Sequence, residues 1–274
     1  MPAPPRAMST YQLTRLTVRH PATGAAALRE IDLVVAPGEQ LALIGPSGAG
    51  KTTLLATLAC AHRPDGGQFQ AFGVDPWALP ERLRHRLRAR LFLAPQTPPL
   101  PPRQRVVTAV LAARLPEWSV WQALVSLLRP SDPAAAHAAL ARLELGDKLY
   151  ARVDRLSGGE RQRCALARLL LSSAQALLVD EPLSALDPNL ARLTLEVLRA
   201  EAEARGASLI CSLHQVDMAR AHFPRIVGLK DGRIVFDSPR EAVTDAMIAA
   251  LYLNQTAAPA APPPPLAAQL LGAC

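Results

Sequence analysis

The segment from Gly45 to Thr52 has the residue types and the spacing of a phosphate-binding loop. It reads Gly-Pro-Ser-Gly-Ala-Gly-Lys-Thr and matches the pattern G-x-x-x-x-G-K-[ST]. Glycines allow backbone N–H groups to curl around phosphate oxygens, and the N-terminus of a following helix adds its dipole. Lys51 is expected to reach the β- and γ-phosphates of a nucleotide, and the Thr52 hydroxyl to bind Mg²⁺. The predicted nucleotide-binding residues of this loop are Gly45, Pro46, Ser47, Gly48, Ala49, Gly50, Lys51, Thr52 and Thr53.

A pair of carboxylates, Asp180 and Glu181, follows the short apolar run from Ala176 to Val179. Acidic side chains at the C-terminal end of a strand lie where α/β sheets bind their ligands. Asp180 can hold Mg²⁺ through water, and Glu181 can orient an attacking water or accept its proton. Taken alone, the pair is equally consistent with helix capping. Combined with the phosphate-binding loop, it predicts nucleotide hydrolysis.

A third motif, Leu-Ser-Gly-Gly-Glu, runs from Leu156 to Glu160. Ser157 followed by Glu160 predicts a capping box at the start of a helix over residues 157–172. Two glycines directly after a capping serine weaken a helix. They favour a backbone that must approach an anion closely, and a flexible turn is the alternative.

These residues need a fold that brings strand ends and helix starts together. Turn signals and alternation between residues 11 and 44 predict strands joined by tight turns. Further strands are predicted at 40–44, 91–94, 176–179, 209–213 and 226–229, and helices at 52–61, 157–172 and 189–205. This alternation predicts an α/β fold with a largely parallel sheet, and the Ala/Leu-rich segment 106–150 is expected to be a helical insertion.

Composition excludes several classes of protein. The chain has 274 residues, 50% of them hydrophobic and 19% charged, so most of it is expected to fold. No apolar run reaches the roughly 18–20 residues that span a bilayer, and the N-terminus lacks the apolar core of a signal peptide. The cysteines form no CxxC pair, which excludes a disulfide scaffold and a thiolate zinc site. We therefore predict a soluble cytoplasmic protein whose membrane role comes through a partner. The cysteines are Cys60, Cys164, Cys211 and Cys274.

The net charge of +7 is consistent with binding to nucleic acid, an anionic membrane or a nucleotide, and does not decide among them. The segment 80–92 has arginines at every second position and leucines at every fourth, which favours a basic amphipathic helix. We interpret its arginines as a solvated helix face rather than a nucleic-acid-binding patch. They are Arg82, Arg84, Arg86, Arg88 and Arg90.

Taken together, the motifs resemble those of the nucleotide-binding subunit of an ABC transporter. The segment from Leu156 to Glu160 resembles the signature motif that separates this family from other P-loop NTPases. The resemblance covers residues 11–253. It implies a P-loop NTPase ABC cassette of the α/β class, with a RecA-like core, an antiparallel β subdomain and a helical subdomain at about 97–172. Residues 1–10 are expected to be a disordered N-terminus, and residues 254–274 a flexible tail rich in Pro and Ala.

The resemblance also implies a dimer with ATP and Mg²⁺ as cofactors. In this family two subunits pair head to tail, and each ATP lies between the phosphate-binding loop of one and the signature motif of the other. A homodimer or a paired cassette is therefore expected. The implied ATP contacts in the signature motif are Ser157, Gly158, Gly159 and Glu160. Asp187 ends a segment that resembles the D-loop, which crosses the dimer interface.

Two further residues gain a role through the resemblance. Gln96 resembles the glutamine that contacts Mg²⁺ and the membrane partner, and His214 resembles the histidine that contacts the γ-phosphate. The implied catalytic residues are Glu181, His214 and Gln96. The implied metal-binding residues are Thr52, Gln96 and Asp180.

One position departs from the family pattern. His20 stands where the family often stacks adenine on an aromatic residue, and Tyr11 lies too early to replace it. Imidazole stacks more weakly than a tyrosine ring, so looser nucleotide selectivity is expected.

Within the family, a transporter subunit fits better than an ATPase of DNA repair, chromosome structure or translation. The chain contains one cassette and no insertion long enough for a coiled coil. The segment from Ser212 to Ala219 resembles the switch segment of phosphonate importer ATPases, and segments beginning at Glu117 and Gly228 agree with it. We expect an ABC importer ATPase for phosphonate or a related phosphorus oxyanion, such as phosphite.

The expected partners follow from this interpretation. They are an integral membrane permease and, indirectly, a periplasmic solute-binding protein, with no nucleic acid. The expected location is the cytoplasmic face of the inner membrane, as a peripheral protein. The alternatives are an exporter ATPase for a lipid or drug, and a non-transport ABC ATPase that binds nucleic acid. A degenerate regulatory cassette is disfavoured by the intact Lys51, Asp180, Glu181 and His214.

Overall fold

Strands and helices alternate along the chain. The computed structural model describes residues 9–20, 24–128 and 130–253, so the predicted tail at 254–274, most of the predicted N-terminal segment and Cys274 lie outside these ranges. The strands are β1 (Tyr11–Arg19), β2 (Ala26–Val35), β3 (Gln40–Ile44), β4 (Gly66–Ala71), β5 (Leu91–Ala94), β6 (Ala176–Asp180), β7 (Ser208–Ser212), β8 (Arg225–Lys230) and β9 (Arg233–Pro239). The helices are α1 (Lys51–Leu58), α2 (Glu81–Arg88), α3 (Val106–Leu111), α4 (Val120–Leu128), α5 (Pro133–Ala141), α6 (Gly158–Leu171), α7 (Pro188–Arg205), α8 (Val216–His222) and α9 (Asp245–Tyr252).

The central sheet is largely parallel, which confirms the prediction. In the described residues it has six strands in the order β5-β6-β7-β3-β8-β9, of which β9 runs antiparallel to β8. Every residue of β3, β6 and β7 is buried. Strands covered on both faces read as continuous apolar runs, which is why these segments were recognisable. Their parallel direction brings their C-terminal ends to one edge of the sheet.

A second sheet, antiparallel, joins β2, β1 and β4 in the described part of the chain. Its buried side chains share one hydrophobic core with α1 and the central sheet, a core that includes Leu13, Leu54 and Leu178. Thr10 is also buried, and its hydroxyl lies 2.8 Å from Ser208 Oγ. This contact ties Thr10, the last residue of the predicted N-terminal segment, to the central sheet.

Helices α3 to α6 lie in the chain between β5 and β6 and confirm the expected helical insertion. The helices α3, α5 and α6 pack on one another, and Val110, Leu140 and Leu166 are buried between them. Helix α4 differs, because Trp121 is 74% exposed and Leu124 is 53% exposed. In residues 9–20, 24–128 and 130–253, no helix has the length and apolarity needed to cross a bilayer.

The ends of two predicted helices need correction. The helix predicted at 52–61 spans Lys51–Leu58, and it stops early because Cys60 takes a left-handed φ of 58°. The predicted helix over 80–92 ends at Arg88, because Leu91 enters the central sheet as the first residue of β5.

The arginines of segment 80–92 also differ from the predicted solvated face. The guanidinium of Arg84 lies 5.2 Å from the centre of the Trp77 ring, and Arg88 donates a hydrogen bond of 2.6 Å to the Cys60 carbonyl. Arg90 donates to the side chain of Gln175. These contacts attach the segment to its own subunit, whereas Arg82 and Arg86 remain exposed.

Candidate functional site

The loop between β3 and α1 is a cradle of backbone groups that requires glycine. Gly45 has a φ of 151°, and a Cβ there would lie 2.0 Å from the Leu229 carbonyl oxygen. Gly50 has a φ of 104°, and a Cβ there would lie 2.8 Å from the Ala27 carbonyl oxygen. No larger residue fits at either position unless the backbone moves. Such a loop can wrap closely around a phosphate group.

The start of α1 adds donors to this cradle. Its N-cap is Gly50, which has no side chain to satisfy the N–H groups of the first turn. Those N–H groups and the positive end of the helix dipole are therefore free to bind an anion. The sequence places this uncapped start directly after the loop, as phosphate binding requires.

Lys51 lies over the loop rather than in solvent. The residue is 5% exposed, and Nζ donates to the carbonyl oxygens of Gly45 at 2.8 Å and Pro46 at 3.2 Å. Burial lowers the pKa of Lys51, and the negative charges of Glu181 and Asp180 oppose this effect. The ammonium group is thus held at the mouth of the cradle, where phosphate oxygens can take the place of the two carbonyls.

Asp180 ends β6 and is almost fully buried, with 2% exposed. Its Oδ1 accepts a hydrogen bond of 2.5 Å from Ser212 Oγ at the end of β7, and its carboxylate accepts another from the Thr52 side chain. Burial raises the pKa of Asp180, while the hydrogen bonds from Ser212 and Thr52 oppose the rise. Two of the three predicted metal-binding residues, Thr52 and Asp180, therefore lie in contact, while the third, Gln96, donates to Glu181.

These residues fit Mg²⁺ in their chemistry. Hydroxyl and carboxylate oxygens are ligands that Mg²⁺ prefers, and it keeps several waters or phosphate oxygens in its shell. No group of three or more His, Cys, Asp and Glu side chains in the described residues is arranged to hold a metal. An ion bound mainly through nucleotide phosphates does not need such a group.

Glu181 brings the three predicted catalytic residues together. Its Oε1 lies 2.5 Å from His214 Nε2, and its Oε2 accepts a hydrogen bond of 2.6 Å from Gln96 Nε2. Gln96 follows β5 and His214 follows β7, so three strand ends converge on one carboxylate. The Glu181 side chain is 10% exposed and that of His214 is 44% exposed, so the cluster opens to solvent on the histidine side.

The charge of the Glu181 carboxylate is stabilised. Burial raises the pKa of Glu181, but the hydrogen bond and charge of His214 and the charge of Lys51 outweigh it, and the resulting pKa lies below the ordinary value. A carboxylate that is ionised at neutral pH and linked to an imidazole can orient a water molecule and accept its proton.

The signature segment has a different environment. Ser157 and Glu160 form the predicted capping box, with Ser157 N donating to Glu160 Oε2 at 2.7 Å. A Cβ on Gly159 would lie 2.6 Å from the Ala185 carbonyl oxygen, so close packing within the chain explains this glycine. A Cβ on Gly158 would meet no atom of the described residues within 4 Å. Packing against Ala185 thus gives Gly159 a reason within its own chain, and contact of both glycines with an anion stays a prediction.

Asp187 and His20 take structural positions in the chain. Asp187 caps α7 and accepts hydrogen bonds of 3.1 Å from the backbone N–H groups of Asn189 and Leu190. His20 directly follows β1, and its backbone N–H donates to the Ala25 carbonyl oxygen at 2.8 Å. Tyr11, the other candidate for adenine stacking, is fully buried in the core and is therefore excluded.

Sequence reasoning missed Ser212 and Gln162. Ser212 donates to Asp180, and Gln162 in α6 donates a hydrogen bond of 2.7 Å to the Glu181 carbonyl oxygen. A polar residue at the end of an apolar strand was the available signal for Ser212. Gln162 follows the signature segment by two residues, and nothing in the pattern indicates its contact with Glu181.

Comparison with known proteins identifies related sequences over most of the chain. Residues 28–184 match the family described as ABC transporter. The Phosphonates import ATP-binding protein PhnC 2 of Albidiferax ferrireducens is 58% identical over 243 residues, which cover 88% of both chains. The PhnC protein of Polaromonas sp. is 57% identical and also covers 88% of both chains. PhnC 1 of Pseudomonas aeruginosa is 56% identical over 85% of this chain and 88% of its own.

Solved structures share the fold at lower identity. The ATP-binding cassette MJ0796, solved as a dimer bound to ADP and Pi, superposes with a TM-score of 0.72 at 24% identity, covering 84% of this chain and 98% of its own. CbiO1 of Clostridium perfringens, part of the ABC transporter complex cbiONQ, has a TM-score of 0.71 at 20% identity, covering 90% and 96%. The predicted cassette fold is confirmed.

Proposed function

Since this chain belongs to the ABC transporter family as an ATP-binding and ATP-hydrolysing subunit, we propose that it powers the import of phosphonate or a related phosphorus oxyanion through a membrane permease. The observation that carries the proposal is identity of 56–58% to phosphonate import ATP-binding proteins over at least 85% of the chain. The segments beginning at Glu117, Ser212 and Gly228 support the same solute class.

ATP binding is assigned to the cradle at 45–53. Its backbone N–H groups hold the phosphates, and Lys51 contacts the β- and γ-phosphates. Thr52, Gln96 and Asp180 would hold Mg²⁺, which would supply positive charge to neutralise the phosphates. The hydrogen bonds of Asp180 to Ser212 and Thr52 support this assignment, because they fix the carboxylate beside the hydroxyl.

Hydrolysis is assigned to the cluster around Glu181. Its carboxylate orients the attacking water and accepts its proton, and the lowered pKa of Glu181 means that the carboxylate is ionised at neutral pH. His214 fixes one carboxylate oxygen and, with its exposed side, stabilises the charge on the transferring phosphoryl group. Gln96 fixes the other carboxylate oxygen.

The second half of each ATP site comes from another subunit. Ser157 and Gly159 of the partner subunit contact the phosphates, with Gly158, Glu160 and Asp187 beside them at the interface. The open space around Gly158 supports this arrangement, because a second surface can approach the backbone there. A homodimer, or a pair with a related cassette, then holds two nucleotides.

The permease is proposed to dock on α4. A groove of about 430 Å³ in this region is lined by Trp118, Trp121 and Val125, and the outer residues of α4 are exposed although apolar. Exposed apolar side chains around a groove are typical of protein–protein contact sites. The subunit then lies peripherally at the cytoplasmic face of the inner membrane, with the solute-binding protein on the far side of the permease.

A growth assay tests the solute class. Deleting the gene is expected to abolish growth on a phosphonate as sole phosphorus source and to leave growth on phosphate unchanged. The wild-type chain should restore growth, as should Arg82→Ala, which removes one exposed charge outside the site. Lys51→Ala should not restore it. Normal growth of the deletion strain on phosphonate would exclude this solute class and leave the ATPase assignment intact.

A pull-down tests the partners. Glu181→Gln is expected to bind ATP and to hydrolyse it about 10²–10⁴-fold more slowly, because a general base is lost. Captured from detergent-solubilised native membranes with ATP present, this variant should bring a multi-span permease and a solute-binding protein. A permease alone would favour an exporter. Soluble proteins or nucleic acid alone would favour a non-transport ABC ATPase.

A further inference from the structure

The side chain of Gln162 reaches the main chain of the proposed catalytic base. Its Nε2 donates a hydrogen bond of 2.7 Å to the Glu181 carbonyl oxygen and lies 3.5 Å from Ser184 Oγ. Gln162 is 5% exposed, so water competes little for this bond. The contact joins α6 to the end of β6.

The main chain of Glu181 adopts a conformation that needs support. Its φ is +49°, in the left-handed region that residues other than glycine rarely adopt. Such conformations persist where the surrounding structure holds them, and they cluster at active sites. The Glu181 N–H donates to Ser212 Oγ at 3.0 Å, and the Glu181 carbonyl accepts from Gln162. The peptide groups on both sides of the Cα are thus held, one from β7 and one from α6.

The amide of Gln162 is costly to bury. Within the described residues, its Oε1 is buried without a hydrogen-bond partner. A buried acceptor without a partner destabilises a fold, and methionine would fill a similar volume without that cost. The presence of the amide therefore points to a need for its donor.

We propose that Gln162 is a positioning residue for ATP hydrolysis. By fixing the Glu181 carbonyl, it directs the carboxylate to the point where His214 and Gln96 hold it. It also connects the helix opened by the signature segment to the main chain of the base. The inference rests on the proposed role of Glu181 and adds a residue that touches neither the phosphates nor the water.

The test compares two buried glutamines. Gln40 also donates to a main-chain carbonyl, that of Arg199 at 3.2 Å, but it begins β3, at the end of the strand away from the phosphate-binding loop. Gln162→Met should lower kcat by about tenfold to a hundredfold, since small misplacements of catalytic groups cost this much. The KM for ATP should stay at the wild-type value. Gln40→Met should leave both constants unchanged.

A double variant separates positioning from a general loss of structure. In the Glu181→Gln background, Gln162→Met should not slow the residual hydrolysis further, because its effect acts through the carboxylate. Gln162→Leu, which also removes the donor and adds no charge, gives the same test should the methionine variant not fold.

Three results would overturn the inference: an unchanged kcat, an equal loss in Gln40→Met, or a full additional loss in the Glu181→Gln background. Failure of the wild-type chain to hydrolyse ATP would instead contradict the proposed function.

Discussion

Helices α1 and α6 both begin at glycine-containing segments that are proposed to contact ATP, yet the two starts are built differently. Before α1, Gly45 and Gly50 take conformations and contacts that exclude any Cβ, and no side chain caps the helix. At α6, Ser157 and Glu160 cap each other, and the helix is regular from its first residue. One start therefore exposes backbone donors to an anion, whereas the other has already used two of them.

The difference indicates how two subunits share the binding of one ATP. A cradle with free donors, a buried lysine and a nearby carboxylate can hold phosphates without help from a partner. The start of α6 already has capping hydrogen bonds and has open space at Gly158. It therefore suits docking onto a nucleotide that another subunit already holds. ATP affinity should therefore depend on the first segment, and turnover on both.

The largest effect is expected from Gly45→Ala. The new Cβ would lie 2.0 Å from the Leu229 carbonyl oxygen, so the loop must move and ATP binding should be lost. Gly206→Ala is the matched control, because Gly206 also has a positive φ, 62°, but a Cβ there meets no described atom within 4 Å. The control should lose about 1–2 kcal/mol of stability and keep its ATP affinity. Titration with a fluorescent ATP analogue measures the ATP affinity of the two variants. A wild-type affinity in Gly45→Ala would contradict the proposed phosphate cradle.

Gly159→Ala is expected to have the next largest effect. Its Cβ would lie 2.6 Å from the Ala185 carbonyl oxygen and would push α6 away from the segment before α7. Overpacking of this kind costs about 2 kcal/mol in the free energy of unfolding, measured with urea. ATP affinity of the isolated subunit should not change. A Gly159→Ala subunit as stable as the wild type would contradict the close packing of Gly159 against Ala185.

Glu201→Gln tests which interactions stabilise the C-terminal end of α6. Glu201 binds Arg142 and Arg205, and Arg205 in turn donates to the carbonyl oxygens of Leu170 and Ser172. The variant should lose about 1.5 kcal/mol of stability at neutral pH. The two ends of α6 would then be stabilised by different interactions, the first by a capping box and the last by ion pairs.

The pH dependence of this loss follows from the pKa of Glu201. Burial raises that pKa, but the hydrogen bonds from Arg142 and Arg205 outweigh it, and the net pKa lies below its ordinary value of 4.5. The stabilisation is therefore present above about pH 4.5 and is lost as the pH falls through the folded-state pKa. Urea unfolding at several pH values should show the gap between wild type and variant shrinking in acid. A constant gap would exclude the ion pairs as its cause.

Local patterns made much of this molecule predictable. The capping box, the parallel sheet and the helix predicted at 189–205 depend on neighbouring residues or on continuous apolar runs, and the structure confirms them. The cradle was recognisable from the spacing of its glycines, lysine and threonine. Residues close in sequence carry these features, so no knowledge of tertiary contacts was needed.

Contacts between distant segments were beyond the reach of such patterns. The donation from Gln162 to Glu181 depends on how α6 packs beside β6, and the reason for Gly159 depends on the position of Ala185. The helix predicted over 80–92 overlapped the strand predicted at 91–94, because Leu91 continues the helical spacing while pairing with Ala176 in the sheet. In each of these cases the structure was determined by tertiary packing, which the local sequence pattern does not show.

A smaller effect is expected from Ser157→Ala. The serine hydroxyl accepts a hydrogen bond of 3.2 Å from the Glu160 N–H, and loss of such a cap costs about 1 kcal/mol. Turnover should fall as well, because the helix start that faces the partner's nucleotide becomes less ordered. Ser157→Asp, which can cap, should recover stability. Its failure to do so would show that the hydroxyl does not stabilise α6 as a cap.

The smallest change in stability, and one of opposite sign, is expected from Gly158→Ala. Alanine favours a helix over glycine by up to about 1 kcal/mol, and no described atom lies within 4 Å of the added Cβ. The subunit alone should therefore be slightly more stable and bind ATP as before. In the dimer the methyl group would stand between the helix start and the partner's nucleotide, so turnover should fall. The unfolding free energy and the ATPase rate should be measured on one preparation of the variant. A more stable variant with wild-type turnover would mean that the open space at Gly158 is not the surface where the second subunit docks.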